Sequence, residues 1–297
     1  MELYNLKVFM TVASERSFSR AAELLQRTQP AITLAVQKLE RDIGDKLLDR
    51  AAGRDLTLTD SGRVVLEYSR RFDNLERDLQ NSLTEVRDVA AGRLVIGANE
   101  TTSLYLMQHI VNYRKRYPKV KVQVRRSLSS RIPAQVIDGD LEFGVITYPP
   151  GDERLDSRVL CSDHLAFVVS PEHRLAKQET VSIQELGVES FIAHNVISPY
   201  RDTVLKAFQR AKVPLNMDVE MPSVETIRMM VARNEGVAFL PGMCVERDLR
   251  LGDLKEVKVR ELAVEREIRL IFPASRILSH AAKAFIYIVM GPGGPVG

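Results

Sequence analysis

One stretch near the N-terminus carries groups that can read nucleic acid. Between Glu23 and Glu40 there is no acidic residue, while Arg27 and Lys38 are present. Within it, Thr28, Gln29, Pro30, Thr33, Leu34, Gln37 and Lys38 follow one another at intervals that suit a helix. A helix fits the major groove of double-stranded DNA, and its N-terminal residues reach base edges. The Gln29 amide can pair with an adenine through two hydrogen bonds. Ala31, Thr33 and Leu34 offer methyl groups to thymine, and Gln37 lies one turn on. Lys38, with Arg50 and Arg54 downstream, supplies cations for phosphates, contacts that position a protein without reading sequence. Two of these have blander alternatives: Gln29 as a helix cap, and Arg54 as a solvated charge.

A second set of polar residues is rich in hydroxyls. Thr101-Thr102-Ser103 follows an apolar strand and precedes a helical stretch. Hydroxyls and free amides at a helix N-terminus suit an anion, and they equally suit an N-cap with no ligand. Ser129 and Ser130, Thr147 after its strand, and Asn195 and Ser198 before the next helix share that character. Together they describe the rim of a cleft that takes a small carboxylate, sulfate-like or phosphorylated metabolite. The basic run Arg114, Lys115, Arg116, Lys119, Lys121, Arg125 and Arg126 either steers anions toward that cleft or forms a solvated face.

Several chemistries find no support. The five histidines show no metal-ligand spacing, so no metal is expected. There is no phosphate-binding P-loop, no Gly-x-Gly-x-x-Gly and no nucleophile elbow, and no His, Cys or Ser set forms a catalytic group. Neither an enzyme nor a cofactor is expected. Cys161 and Cys244 read as two reduced thiols, although sequence separation leaves a spatial pair open. No apolar run approaches the ~20 residues that span a bilayer. The opening Met1-Glu2-Leu3-Tyr4 lacks a secretory layout, which predicts a cytoplasmic protein. The formal net charge of +3 decides little, because basic and acidic residues balance over residues 1–60.

The elements that position these groups follow from periodicity. Leu3, Leu6, Phe9, Met10 and Ala13 predict a first helix, and Arg20 to Leu25 a second behind Ser17 or Ser19; a third, with Thr28 as cap and Pro30 in its first turn, buries Ile32, Val36, Leu39 and Ile43 until Gly44 stops it. Three short helices with a tight second connection make a helix-turn-helix. Asp49 to Asp60 reads as a two-stranded wing turning at Gly53. From Asp60 a long helix carries Val65, Tyr68, Phe72, Leu75, Leu79, Leu83, Val86 and Ala90 in mostly alternating steps of three and four, a coiled-coil seam. That stripe serves either dimerisation or packing within its own domain. After Ala91-Gly92-Arg93 strands and helices alternate, which predicts largely parallel α/β sheets. Some 200 residues is large for one sheet, so two Rossmann-like lobes are expected.

The chain resembles the LysR-type transcriptional regulators over nearly its whole length. The match lies in Phe18-Ser-Arg-Ala-Ala-Glu-Leu-Leu25 leading into Thr28-Gln-Pro-Ala-Ile-Thr33 and Lys38-Leu-Glu40. It continues through Gly44, Leu47-Leu-Asp-Arg50, Leu58-Thr59 with Gly62, and Arg93-Leu-Val-Ile-Gly97. Softer echoes are Asp138 to Ile146 and Glu235 to Pro241. The resemblance implies a winged helix-turn-helix DNA-binding domain (1–60) and a linker and dimerisation helix (61–90). An effector-binding domain (91–297) similar to periplasmic solute-binding proteins would follow, with lobe 1 over about 91–160 and 268–290 and lobe 2 over about 161–267. It implies operator DNA and a small-molecule effector as partners, homodimers pairing into homotetramers, and RNA polymerase as a candidate contact. The family's effectors sit at the end of the sheet where Thr101-Thr102-Ser103 lies. Leu34 and Ala35 depart from the family's commonly polar recognition helix, and Arg233-Asn-Glu-Gly236 departs from its Gly-rich approach to the next strand. Two other classes compete: a solute carrier, opposed by residues 1–60, and an α/β enzyme with a DNA-binding appendage, opposed by the missing catalytic set.

Overall fold

The computed structural model describes residues 1–49, 56–87, 92–196, 198–275 and 278–291. These form two compact units: Met1–Gly92 with Asp138–Asp140, and Arg93–Ile137 with Leu141–Gly297.

In the first unit, α1 (Leu3–Glu15), α2 (Phe18–Leu24) and α3 (Gln29–Ile43) enclose a core of Val8, Phe9, Val12, Ala21, Ile32, Val36 and Leu39. These residues recur every three or four positions, so each helix buries one face. The Ser17 side chain caps α2 by accepting from the Arg20 amide, as its position predicts. Gly44 ends α3 at φ 86°, a left-handed conformation that costs glycine nothing. Glu40, on the buried side of α3, accepts from the Leu47 amide at 3.0 Å and pairs with Lys46 at 2.9 Å, which ties the helix to the following strand. The short strands β1 (Leu48–Asp49) and β2 (Thr57–Leu58) pair antiparallel. The wing turn at Gly53, with Arg50 and Arg54, lies outside the described residues.

The long helix α4 spans Asp60–Arg87, about 42 Å at ~1.5 Å per residue. It begins against the first core, where a side chain at Gly62 would sit 2.0 Å from the Leu47 carbonyl oxygen. The seam differs from expectation at its start. Val65 packs partly buried on the helix-turn-helix core, and it is Val64 that lies exposed, in line with Tyr68, Phe72, Leu75, Leu79 and Leu83. Ala90 lies outside the described residues, and so does the side chain of Val86.

In the second unit the main sheet runs β10-β6-β13-β5-β3-β4, with β11 (Lys255–Glu256) also on β6. Its strands are β3 (Gly92–Ala98), β4 (Val120–Arg126), β5 (Phe143–Ile146), β6 (Leu155–Val169), β10 (Ala238–Pro241) and β13 (Glu265–Pro273). The sheet is mixed rather than largely parallel: β3 and β5 are parallel, while β13 is antiparallel to both β5 and β6. The reason is topological. The 15-residue β6 carries the chain from one lobe into the other, and β13 brings it back beside β6 in the opposite sense. Because β6 is continuous, the expected lobe boundary at 160/161 falls within a strand.

The first lobe packs α5 (Glu100–Arg116) and α11 (His280–Met290) on one face of the sheet, around Leu94, Ile96, Leu106, Tyr113, Phe143 and Phe285, and α6 (Ile132–Ile137) on the other, around Val95, Ile132, Val136, Ile146 and Ile271. The second adds the pair β7 (Thr180–Val181) and β12 (Lys258–Val259) and the parallel pair β8 (Ser190–His194) and β9 (Asn216–Met221). Its helices are α7 (Ile183–Leu186), α8 (Pro199–Ala211), α9 (Val224–Ala232) and α10 (Gly242–Leu251). Phe167, Phe191, Val204, Phe208 and Val237 form one of its two cores.

Candidate DNA-reading face and effector cleft

Helix α3 turns its apolar positions inward, so the residues between them face solvent. Thr28, Gln29, Pro30, Leu34, Gln37 and Lys38 are exposed and Thr33 is half-buried. Leu34 is an apolar side chain left 61% exposed. Thr28 occupies the N-cap position without a side-chain cap. The Gln29 amide does not cap the helix either: its oxygen accepts from the Ser19 hydroxyl of α2 at 3.1 Å, which orients it. Lys38 pairs with Glu2, and the hydrogen bond to that carboxylate holds its pKa above the ordinary lysine value. A phosphate contact by Lys38 therefore exchanges one anion for another.

The second unit encloses a cavity of about 920 Å³. On one side it is edged by the residues after β3 and β5 and by Arg126 to Ser130 after β4; on the other it is edged by β8 and the start of α8. Of the expected effector contacts, Thr101, Ser129, Ser130, Thr147, Asn195 and Ser198 all line it. They lie far apart in the chain, and their common placement at element ends is what brings them together.

Thr102 and Ser103 do not line it. Helix α5 starts at Glu100, four residues before the expected Leu104, and its N-cap is Asn99. The Asn99 side chain accepts from the Thr102 amide at 2.8 Å, and the Thr102 hydroxyl accepts from the Asn99 amide at 3.0 Å, a reciprocal capping box. The fully buried Thr102 hydroxyl also reaches the Val145 carbonyl at 3.1 Å, and Ser103 donates to the Asn99 carbonyl at 2.6 Å. The bland alternative holds for both: they hold the helix end in place while Thr101 and Asn99 face the cavity. The Asn99 side-chain amide also donates to the Ser129 hydroxyl at 2.7 Å, joining the helix end to an expected contact.

Sequence reasoning missed most of the remaining wall. Tyr148 donates to the Ser129 carbonyl at 2.6 Å, and Tyr200 donates to the Thr147 carbonyl across the cleft. Burial raises the pKa of both phenols, so each stays a neutral donor. Of the basic cluster, only Arg126 lines the cavity, and it faces Glu100 at 3.4 Å. Arg201 pairs with Glu220 and donates to the His194 carbonyl at 2.9 Å. Arg266, with its side chain 4% exposed, lies against the Asp163 carboxylate at 2.7 Å and beneath the Tyr200 ring. Arg201 and Arg266 lie on a helix and a strand far apart in the chain, where local sequence gives no sign of a shared site. No cluster of His, Cys, Asp and Glu suited to a metal occurs among the described residues.

Two family models match the chain: a bacterial regulatory helix-turn-helix protein of the lysR family over residues 3–63, and a LysR substrate binding domain over residues 87–290. A "Probable RuBisCO transcriptional regulator" of Cyanophora paradoxa is 30% identical over 290 residues, covering 95% of this chain and 89% of the relative. Among solved structures, full-length CbnR complexed with its target DNA superimposes with a TM-score of 0.71 at 20% identity, covering 97% of this chain and 99% of that one. The regulatory domain of Synechocystis PCC6803 CcmR in complex with 2-PG superimposes with a TM-score of 0.60 at 20% identity, covering 67% of this chain and 95% of that one.

Proposed function

The chain belongs to the LysR family of DNA-binding transcription regulators and is not an enzyme. From that premise we propose that it binds operator DNA through the exposed face of α3 and changes transcription when a small anionic metabolite enters the cleft of its C-terminal domain. The observation that carries the sensing half is the cavity of about 920 Å³, where Thr101, Ser129, Ser130, Thr147 and Ser198 converge from separate elements. A site of this kind, concave and apolar with a few converging polar groups, is what a small-molecule ligand uses. The 2-PG bound by the CcmR domain is a ligand of the class proposed here.

Reading an operator with one exposed helix is weak, and two readers on two half-sites are strong. The stripe Tyr68, Phe72, Leu75, Leu79 and Leu83 lies exposed along α4, ready to pair with a second copy. On α5, Leu104, Met107 and Val111 form a second exposed apolar stripe, and two such surfaces support a homotetramer. No helix among the described residues is long and apolar enough to cross a membrane.

The test is a selection of genomic fragments on the full chain, followed by titration of the captured operator complex with central carboxylates and phosphorylated acids. The reading expects at least one of them to change operator affinity or footprint. An effector acts only by binding the two states unequally, so a ligand that binds without altering the DNA complex counts against it.

A further inference from the structure

The cleft is much larger and more apolar than a compact anion needs. Its volume of about 920 Å³ has room for about thirty waters at roughly 30 Å³ each. Beyond the hydroxyl rim the wall changes character. Leu165, Val204, Leu215, Met217 and Phe239 form a chamber in the second lobe beside α8. All of them belong to or pack against the core built on Phe191 and Phe208. The Phe191 and Phe239 rings stack at 5.7 Å, so the chamber wall is partly aromatic.

The charges point the same way. Each arginine at the wall already has a carboxylate: Arg126 has Glu100, Arg201 has Glu220, and Arg266 has Asp163. A compact dianion entering the cleft would find these cations already neutralised and would have to displace a partner. A single negative charge needs less, and the hydroxyls of Thr101, Ser129 and Ser130 lie at the rim. An apolar chamber favours any apolar group that fits it, because such a group sheds its own hydration on entry.

We infer that the effector is an amphipathic monoanion, an aryl or acyl carboxylate, whose charged head stays at the hydroxyl rim while its apolar body fills the chamber beside α8. This deepens the effector-cleft reading and rests on it.

The experiment uses the full chain and 1-anilinonaphthalene-8-sulfonate, an aryl monoanion that fluoresces in apolar surroundings. One saturable site per protomer is expected, emptied competitively by phenylacetate and octanoate, with inorganic phosphate and 2-phosphoglycolate far less effective. Leu215→Trp, which fills the chamber, should weaken the probe and both carboxylates at least tenfold. Leu215→Asn, close in size, should do the same if the larger side chain prevents folding; melting temperature and far-ultraviolet circular dichroism report folding in each. If 2-phosphoglycolate binds and raises the melting temperature while phenylacetate and octanoate do not, the amphipathic inference is overturned and the effector-cleft reading stands. If no probe binds, both fall. Unchanged affinities in both folded variants overturn the chamber as the binding place.

Discussion

Thr102→Val separates a helix-end role from a ligand role. The side chain is fully buried, and its hydroxyl accepts from the Asn99 amide at 3.0 Å and reaches the Val145 carbonyl at 3.1 Å. Valine keeps the shape and removes the hydroxyl, so the buried Val145 carbonyl and the part-buried Asn99 backbone amide each lose a partner. A buried group left unsatisfied costs about 1–3 kcal/mol. A unit of this size loses roughly 2–4 °C of melting temperature per kcal/mol, which predicts a fall of about 2–12 °C. Ser103→Ala is the control: its hydroxyl bonds only the Asn99 carbonyl four residues back, which already accepts the Ser103 amide, so about 0.5 kcal/mol or less is expected. The assay is thermal unfolding of the full chain, in parallel with titration of a ligand found in the operator screen. Thr102→Val should melt early and bind ligand within about twofold of the parent. An unchanged melting temperature with a large loss of ligand affinity would refute the capping assignment and return Thr102 to the cleft.

Other expectations are as direct. Gln29→Ala should lose about 1–3 kcal/mol on specific operator while leaving random DNA nearly unaffected; equal losses in a competition assay on both would remove its base-reading role. Asp at Leu75 and Leu79, which are 65% and 60% exposed, should leave the folded chain intact and yield smaller particles by light scattering; an unchanged particle size would show that α4 is not the dimer seam. Glu40→Leu should cost about 1–3 kcal/mol in chemical denaturation, because the buried Leu47 amide loses its acceptor; a neutral result would mean that water or another group replaces it. Burial pushes the Cys244 thiol up to about 12 and also raises Cys161, so at pH 7 both are protonated and poor nucleophiles. Iodoacetamide should label them slowly until the chain unfolds, and rapid native labelling at Cys244 would contradict its burial.

How much of this protein its sequence determined depends on the range of the interaction. Three helices, a serine cap at Ser17 or Ser19 and the Gly44 stop were legible because caps, left-handed glycines and 3.6-residue periodicity act within a few residues. The exposed face of α3 followed as the complement of its buried one. The seam of α4 was readable along most of its length but not at its start, where Val64 and Val65 are chemically alike and only the core against which Val65 packs distinguishes them. The hydroxyls of Thr101, Ser129, Thr147 and Ser198 were visible as residues that terminate strands or open helices. Their meeting in one cavity was decided by the mixed sheet, in which β6 and β13 cross between lobes in opposite directions. The capping box of Thr102 with Asn99 spans only three residues and stood among the sequence's alternatives, whereas tertiary structure alone gave Arg126, Arg201 and Arg266 their carboxylates. Those pairings span between 19 and 103 residues of chain, and no local pattern encodes a contact that only the folded sheet creates.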